Sequence, residues 1–550
     1  DLVQQNRESL DFVHHHPRPS RYPGGNLGNR PSASLHSLFR LWHPETCAPF
    51  VQQLEVLNLL LSREPKTGWR LLVDLIPGNH DTAMNNPRPS WRPMPGEPSH
   101  PKWTREIRAH ALEVIAKVLA HVAEDEHRWK DLVQVLDSID NENRERALVL
   151  LEGIDTERLS QEVRNELWAT LRDVLSRHRS YPDAEWALRE DVLVRLERLY
   201  SRLEPRDIPS RYGWLFSGQP NLPEGKDQDW SALEATILAR QEDAARVIMD
   251  AGNVPGVTEL ARQVERPNLV GHALGRLDDD VDIQILGRLG PGPTAEERLA
   301  YGFVLGRIAV RGRVWAEDRL SDPARTPRQR ACFLLAVRLD DRTWELLGRC
   351  DPATVEEYWR AFWPWGVRPE DVGRAIRALL GVGRPYAALN VLSSHRRGDA
   401  ALEIDLATTV LEAIMSADAE PDMDISHAAW QIGEILTVLR SAGDVDEARL
   451  ARLEWAFMPV LEHGRHGTPE VLHRELGRNP EFFVEIFSLV FPPESVTPEK
   501  VTDEARRKAR NGYHLLASWR TVPGTNSDGT IDADALASWI DRARPMLQKD

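Results

Sequence analysis

Apolar residues recur at three- and four-residue spacing along most of this chain, the signature of amphipathic helices packed through one face. Val51, Leu54, Leu57, Leu60 and Leu61 predict a helix over Phe50–Arg63, followed by a second over Thr67–Ile76. From Thr104 to Glu204 the pattern is helical nearly throughout. Ile107, Ala111, Val114, Ile115 and Val118 form one face, and Leu167, Leu171 and Leu175 another. Short breaks at Asn141–Asn143, Glu152–Thr156 and Tyr181–Asp183 fit connections between antiparallel helices. Beyond Ser231 the pattern is one of short helices with tight Gly or Pro punctuation. The dipeptide Gly-Arg recurs in or near its breaks, at Gly275, Gly287, Gly306, Gly348, Gly373, Gly383 and Gly477. Strand signals are scarce.

The clearest single unit is Arg374–Ser393. One helix should end near Gly381–Gly383, Pro385 starts the next, and Ala387 and Ala388 permit close packing. That is the grammar of a TPR- or HEAT-like hairpin. The expected fold is therefore all-α, an irregular α-solenoid of such hairpins with Pro-rich ordered loops. The expected organisation has five parts. They are a loop-rich segment with a helical pair and a strap (1–103), a helical bundle (104–204), a Pro/aromatic insertion (205–230), an irregular repeat array (231–475) and a C-terminal helical cap (476–550). The strap, Asn86–Pro101, carries six prolines in sixteen residues, and no helix survives that density. The insertion holds four prolines and the aromatics Tyr212, Trp214 and Phe216.

Length and composition narrow the function. At 550 residues the chain exceeds one compact core. With 41% hydrophobic and 28% charged residues it is neither disordered nor membrane-spanning, and the expected location is the cytoplasm. The absence of an initiator Met and of a leader suggests a piece of something larger or a processed product. Three cysteines cannot form a disulfide framework, which points to a reducing compartment. A net charge of −16 argues against direct nucleic-acid binding and favours a partner with a basic face.

No catalytic constellation is complete. Gly78-Asn79-His80-Asp81 matches a metallophosphoesterase motif, but two metals need six or more ligands and the partner motifs are missing. It remains the alternative reading, a metal-dependent phosphoesterase or nuclease centred on His80 and Asp81. His14-His15-His16 fits a metal-binding loop poorly beside Pro17 and Pro19, and His121, Glu124 and His127 share a predicted helix without an HExxH spacing. Gly290–Ala295 resembles a phosphate loop whose prolines remove the donors it would need. Thr294 and Glu297 are better read as a capping box for a helix running through Ile308. Asn526–Asp532 lacks the end ligands of an EF-hand, leaving Asp532 as a cap for the last helix. There is no Walker A loop and no nucleophile motif, and Cys332 reads as core. No catalytic residue, metal or cofactor is assigned to this chain.

What stands out instead is Tyr358-Trp359-Arg360-Ala361-Phe362-Trp363-Pro364-Trp365, with three tryptophans and two other aromatics in eight residues. Trp, Tyr and Arg dominate interface hot spots. The candidate binding residues are thus Tyr358, Trp359, Phe362, Trp363 and Trp365, with Trp214 from the insertion. The competing reading is an aromatic wedge filling a seam between repeats.

Two further stretches carry a resemblance. The first is "NRPSASLHSLFRLWHPET" (29–46), leading through "REPKTGWRLLVDLIPGNHDT" (63–82) to "PRPSWR" (87–92). The second is "YHLLASWRTVPGTNSDGTIDADALASWIDRAR" (513–544). Both resemble the C-terminal helical region of large antiviral STAND NTPases of the Avs type, bacterial relatives of NOD-like receptors. The resemblance implies that this chain is the sensor array for a phage protein, whose binding drives homo-oligomerisation. ATP and Mg would then belong to an NTPase module elsewhere in the full-length protein, and an effector would lie beyond that. A third reading is a constitutive structural subunit of a bacterial assembly.

Overall fold

The computed structural model describes residues 31–46, 48–78, 104–226, 229–278, 280–396, 404–417, 425–442, 445–458, 461, 469–492, 502–519, 522–526 and 528–547. Among them the protein is all-helical. No strand occurs, and one isolated bridge, Thr525 to Ile531, closes a turn before the last helix. The Asn79–Asp81, Asn86–Pro101 and His14–His16 segments lie outside the described residues.

Capping chemistry sets many of the helix starts. Asp140 accepts from the amides of Glu142 and Asn143, so Asn141–Asn143 opens a helix rather than breaking one, because a short carboxylate there satisfies otherwise orphaned donors. Thr294 and Glu297 make the expected reciprocal capping box, and that helix runs Ala295–Arg311. Asp532 accepts from the amides of Asp534 and Ala535 at the head of Ala533–Leu547. The predicted helix carrying His121, Glu124 and His127 stops at His121. Two 3-10 turns follow, broken at the extended Asp125. The span Trp230–Gln263 is two helices meeting at Asn253, whose φ of 51° lies in the left-handed region just before Val254-Pro255. The hairpin Val372–Gly381 with Pro385–Arg396 uses the same device, with Gly383 at φ 74° before Arg384-Pro385.

The chain forms two compact units, 1–288 with 294–306 and 289–293 with 307–550. Within each, the main packing joins a helix to the next or next-but-one along the chain. The first unit buries a continuous core from Leu35 to Leu203. Trp69 ties two of its helices together by donating to Asp131 at 2.6 Å, with the Arg128 guanidinium 4.8 Å from its ring. The second unit buries its core from Ala331 to Val471, and Cys332 is fully buried beside it.

Gly306-Arg307 does not sit in a break. It lies inside the Ala295–Arg311 helix, where Gly302 and Gly306 meet Gly271 and Gly275 of the Pro267–Arg276 helix. A Cβ at Gly302 would stand 1.9 Å from the Asn268 carbonyl, and one at Gly271 1.9 Å from that of Leu299. The glycines here let two backbones touch, so their role is packing rather than turning.

Candidate protein-binding surface

The aromatic segment begins as a helix and ends as an extended strap. Asp351 caps Pro352–Ala361 through the Thr354 amide and hydroxyl, and Arg330 donates to the same carboxylate at 2.9 Å. Hydrogen bonds from Thr354 hold the Asp351 carboxyl below the usual range. Phe362 leaves the helix in extended geometry, as suits a chain approaching Trp363-Pro364.

Exposure then alternates along the strap. Phe362, Pro364 and Val367 are buried, whereas Trp363 is 72% and Trp365 55% exposed. An extended chain sends successive side chains to opposite faces. The inner face grips the core and the outer one presents two indoles.

Both ends of the strap are pinned. At its entry Arg384 donates to the carbonyls of Trp359 and Phe362, at 3.2 and 2.7 Å, closing the open end of the helix. At its exit Arg368 donates to Asp371 and to Asp341, each at 2.7 Å. Those hydrogen bonds raise the Arg368 pKa and fix the charge of the clamp. Buried Asp371 also accepts the Trp344 indole N–H at 2.7 Å, while Arg374 stacks 4.0 Å from the Trp344 ring. The Asp341–Arg349 helix that carries Trp344 is in turn capped by Asp340, to whose two oxygens a single nitrogen of Arg313 donates at 2.9 and 2.7 Å. Desolvation opposes ionisation of Asp340, but Arg313 and Thr343 outweigh it and bring its carboxyl down to about 2.

The six candidate residues therefore divide. Tyr358, Trp359 and Phe362 are buried and pack on one another, with Trp344 5.4 Å from Trp359, so in this conformation they form a seam and offer no surface. Trp214 belongs to the other unit. It is half-buried, donates to the Arg211 carbonyl and lies 4.4 Å from Arg172, which also stacks 5.2 Å from Trp168. That arrangement packs the insertion onto the Gln161–Ser180 helix and leaves Trp214 little free face. Trp363 and Trp365 alone stand clear. Sequence reasoning missed Arg384, Arg368, Asp371 and Trp344, which fix the strap largely through hydrogen bonds spanning 22 to 27 residues of chain and so carry no local signal. The placement of Pro364 between the two exposed tryptophans was the one readable hint of in–out alternation.

The described residues hold no group of three or more His, Cys, Asp or Glu side chains able to bind a metal ion, and no helix among them is long and apolar enough to cross a membrane. No family model, curated protein or solved structure matches the chain. The class is set by the fold and the surface themselves: an all-α protein with a braced aromatic strap.

Proposed function

We propose that this chain is a protein-binding helical-repeat scaffold whose Trp363–Pro364–Trp365 strap engages a protein ligand. The observation that carries the reading is the pair of open indoles on a strap braced at both ends. Side chains already held in place lose little entropy on binding, and large aromatics supply the apolar area that dominates hot spots. Nearest-neighbour packing within each unit and the repeated left-handed turn before X-Pro support an organisation as irregular TPR- or HEAT-like hairpins.

The stretches at 29–92 and 513–544 support a more specific assignment, the ligand-sensing part of a larger bacterial anti-phage receptor working in the cytoplasm. Its ligand is then a phage protein, and ligand binding triggers oligomerisation. ATP and Mg act in a separate module.

The test is affinity capture of this chain from infected and uninfected cells, beside a Trp363→Ala/Trp365→Ala variant. A phage protein retained only after infection, and lost with the variant, is the expected result. Each indole should contribute about 2 kcal/mol, so each single variant weakens binding roughly 30-fold. The thermal midpoint should barely move, because exposed side chains contribute little to folding. The same host partner before and after infection would favour a structural subunit instead.

A further inference from the structure

The Gln161–Ser180 helix buries an arginine for which the described residues supply no hydrogen-bond acceptor. The Arg172 guanidinium lies 5.2 Å from the Trp168 ring on its own helix and 4.4 Å from the Trp214 ring of the insertion. Tyr200, on the Glu190–Arg202 helix, stacks 5.0 Å from Trp168 and completes an aromatic box. Only 10% of the Arg172 side chain is exposed. Its Nε is enclosed without a partner, and its two terminal nitrogens, equally unpartnered among the described residues, reach solvent. Buried polar groups almost always find partners, because an unpaired charge out of water is costly.

Asp173 does not supply the missing acceptor. Its carboxylate stays 3.7 Å from Nε, beyond hydrogen-bond range, is half-exposed, and takes the Asn221 amide at 3.1 Å. It offsets part of the charge and satisfies none of the donors. Burial accordingly pulls the Arg172 pKa below the usual arginine value, with Asp173 opposing the shift.

Two more donors share the box. The Trp168 indole N–H is enclosed without an acceptor, and the Tyr200 hydroxyl has no hydrogen-bond partner among the described residues. Burial pushes the tyrosine pKa up to about 12, against the pull of Arg172, so the phenol keeps its proton at neutral pH. Glu204 and Glu224, the other acids whose charge reaches Tyr200, are paired with Arg211 and Arg240. Donors without acceptors, walled by aromatic faces, complement an anion. The open edge of a guanidinium presents two parallel N–H groups that match the two oxygens of a carboxylate. The half-buried rings of Trp214 and Tyr200 suit a planar group on a slender stem better than a tetrahedral phosphate.

We propose that Arg172 is a carboxylate-binding site, its guanidinium edge taking both oxygens and the Tyr200 hydroxyl donating a third hydrogen bond. Trp168 and Trp214 hold the guanidinium in place, so little freedom is lost on binding. The carboxylate belongs to a free small acid or to an acidic side chain of a polypeptide, and the chemistry at Arg172 is the same for both. The site lies in the first unit and stands independently of the tryptophan strap in the second.

Saturation-transfer NMR on the intact chain tests it, with acetate and a capped tripeptide carrying a central glutamate as the probes. Acetate should bind with a dissociation constant on the order of 1 mM. A peptide bound about tenfold tighter places the carboxylate on a polypeptide, and one bound no better than acetate places it on a small acid; both support the site. Arg172→Met should abolish binding, and Arg172→Lys, which keeps the charge but not the two-donor edge, should weaken it about tenfold. Tyr200→Phe removes no hydrogen bond made within the described residues and should weaken binding about fivefold. Neither probe binding up to about 50 mM, or binding that survives Arg172→Met in a folded protein, overturns the proposal. If circular dichroism shows the Arg172 variants unfolded, binding unchanged by Tyr200→Phe overturns it. Inorganic phosphate displacing acetate at equal concentration overturns the choice of a carboxylate.

Discussion

At the scale of single residues, His178 is an ionisable group held in the core. Its side chain is fully buried, its Nδ1 accepts from the Leu188 amide at 3.1 Å, and Asp137 lies 3.7 Å from its Nε2. Burial, reinforced by the neighbouring Arg177, pushes its pKa from 6.5 down to about 4, overriding the opposing pull of Asp137. The unfolded chain therefore binds a proton at this site that the folded one refuses. The stabilising contribution is complete above about pH 6.5 and is lost as pH falls toward 4, by roughly 2–3 kcal/mol at pH 4.5. Urea unfolding at pH 7 and 4.5 measures this, and His178→Gln should remove that share of the difference. Nothing in the local sequence marked His178, because its environment is built by Leu188 and Asp137 from other parts of the fold.

At the scale of elements, the helix crossing at Gly271, Gly275, Gly302 and Gly306 is the closest backbone approach at any glycine among the described residues. Gly302→Ala forces a methyl group against the Asn268 carbonyl, and both helices must move apart. Overpacking of this kind costs about 1–3 kcal/mol, and a backbone obstacle puts Gly302 at the upper end. Gly348→Ala is the control. It lies on an exposed helical face with nothing within 4 Å, and should be neutral or stabilising by up to about 1 kcal/mol. Chemical denaturation of the two variants compares them directly. From sequence, the recurring Gly-Arg dipeptides read as punctuation. That reading suits Gly383, at a left-handed turn, and Gly477, at a helix end, but not Gly306. A glycine is chosen for backbone freedom or for the absence of a side chain, and only the neighbouring element says which.

At the scale of the molecule, two units with separate cores should melt as separate cooperative blocks. Each has a sensitive point. In the second unit, Glu454 is fully buried and accepts from the amides of Val471 and Leu472, both at 3.0 Å, and from Arg440 at 2.8 Å. Desolvation raises its pKa, and these partners hold the carboxyl in place. Glu454→Ala removes the buried Glu454–Arg440 ion pair and uncaps the Glu470–Arg478 helix, for a loss of about 3–5 kcal/mol. Calorimetry should resolve two transitions, with Gly302→Ala lowering one and Glu454→Ala the other. A single transition lowered by both variants would show that the units unfold together.

The sequence by itself determined that the chain is helical and where many of its helices lie, though not the end at His121 or the start at Asn141. Their apolar periodicity, the capping box at Thr294 and the Pro385 hairpin are local, and local chemistry decides them. It also singled out the segment at 358–365, because aromatic density is a one-dimensional property. Which of those aromatics face outward was decided only by the tertiary structure. Tyr358 and Trp359 are drawn inward by Trp344, and Trp363 and Trp365 are held outward by Arg384, Arg368 and Asp371. The same holds for Trp214, whose free face is taken by Arg172. Exposure belongs to the packing of distant elements, and a pattern read along the chain cannot contain it.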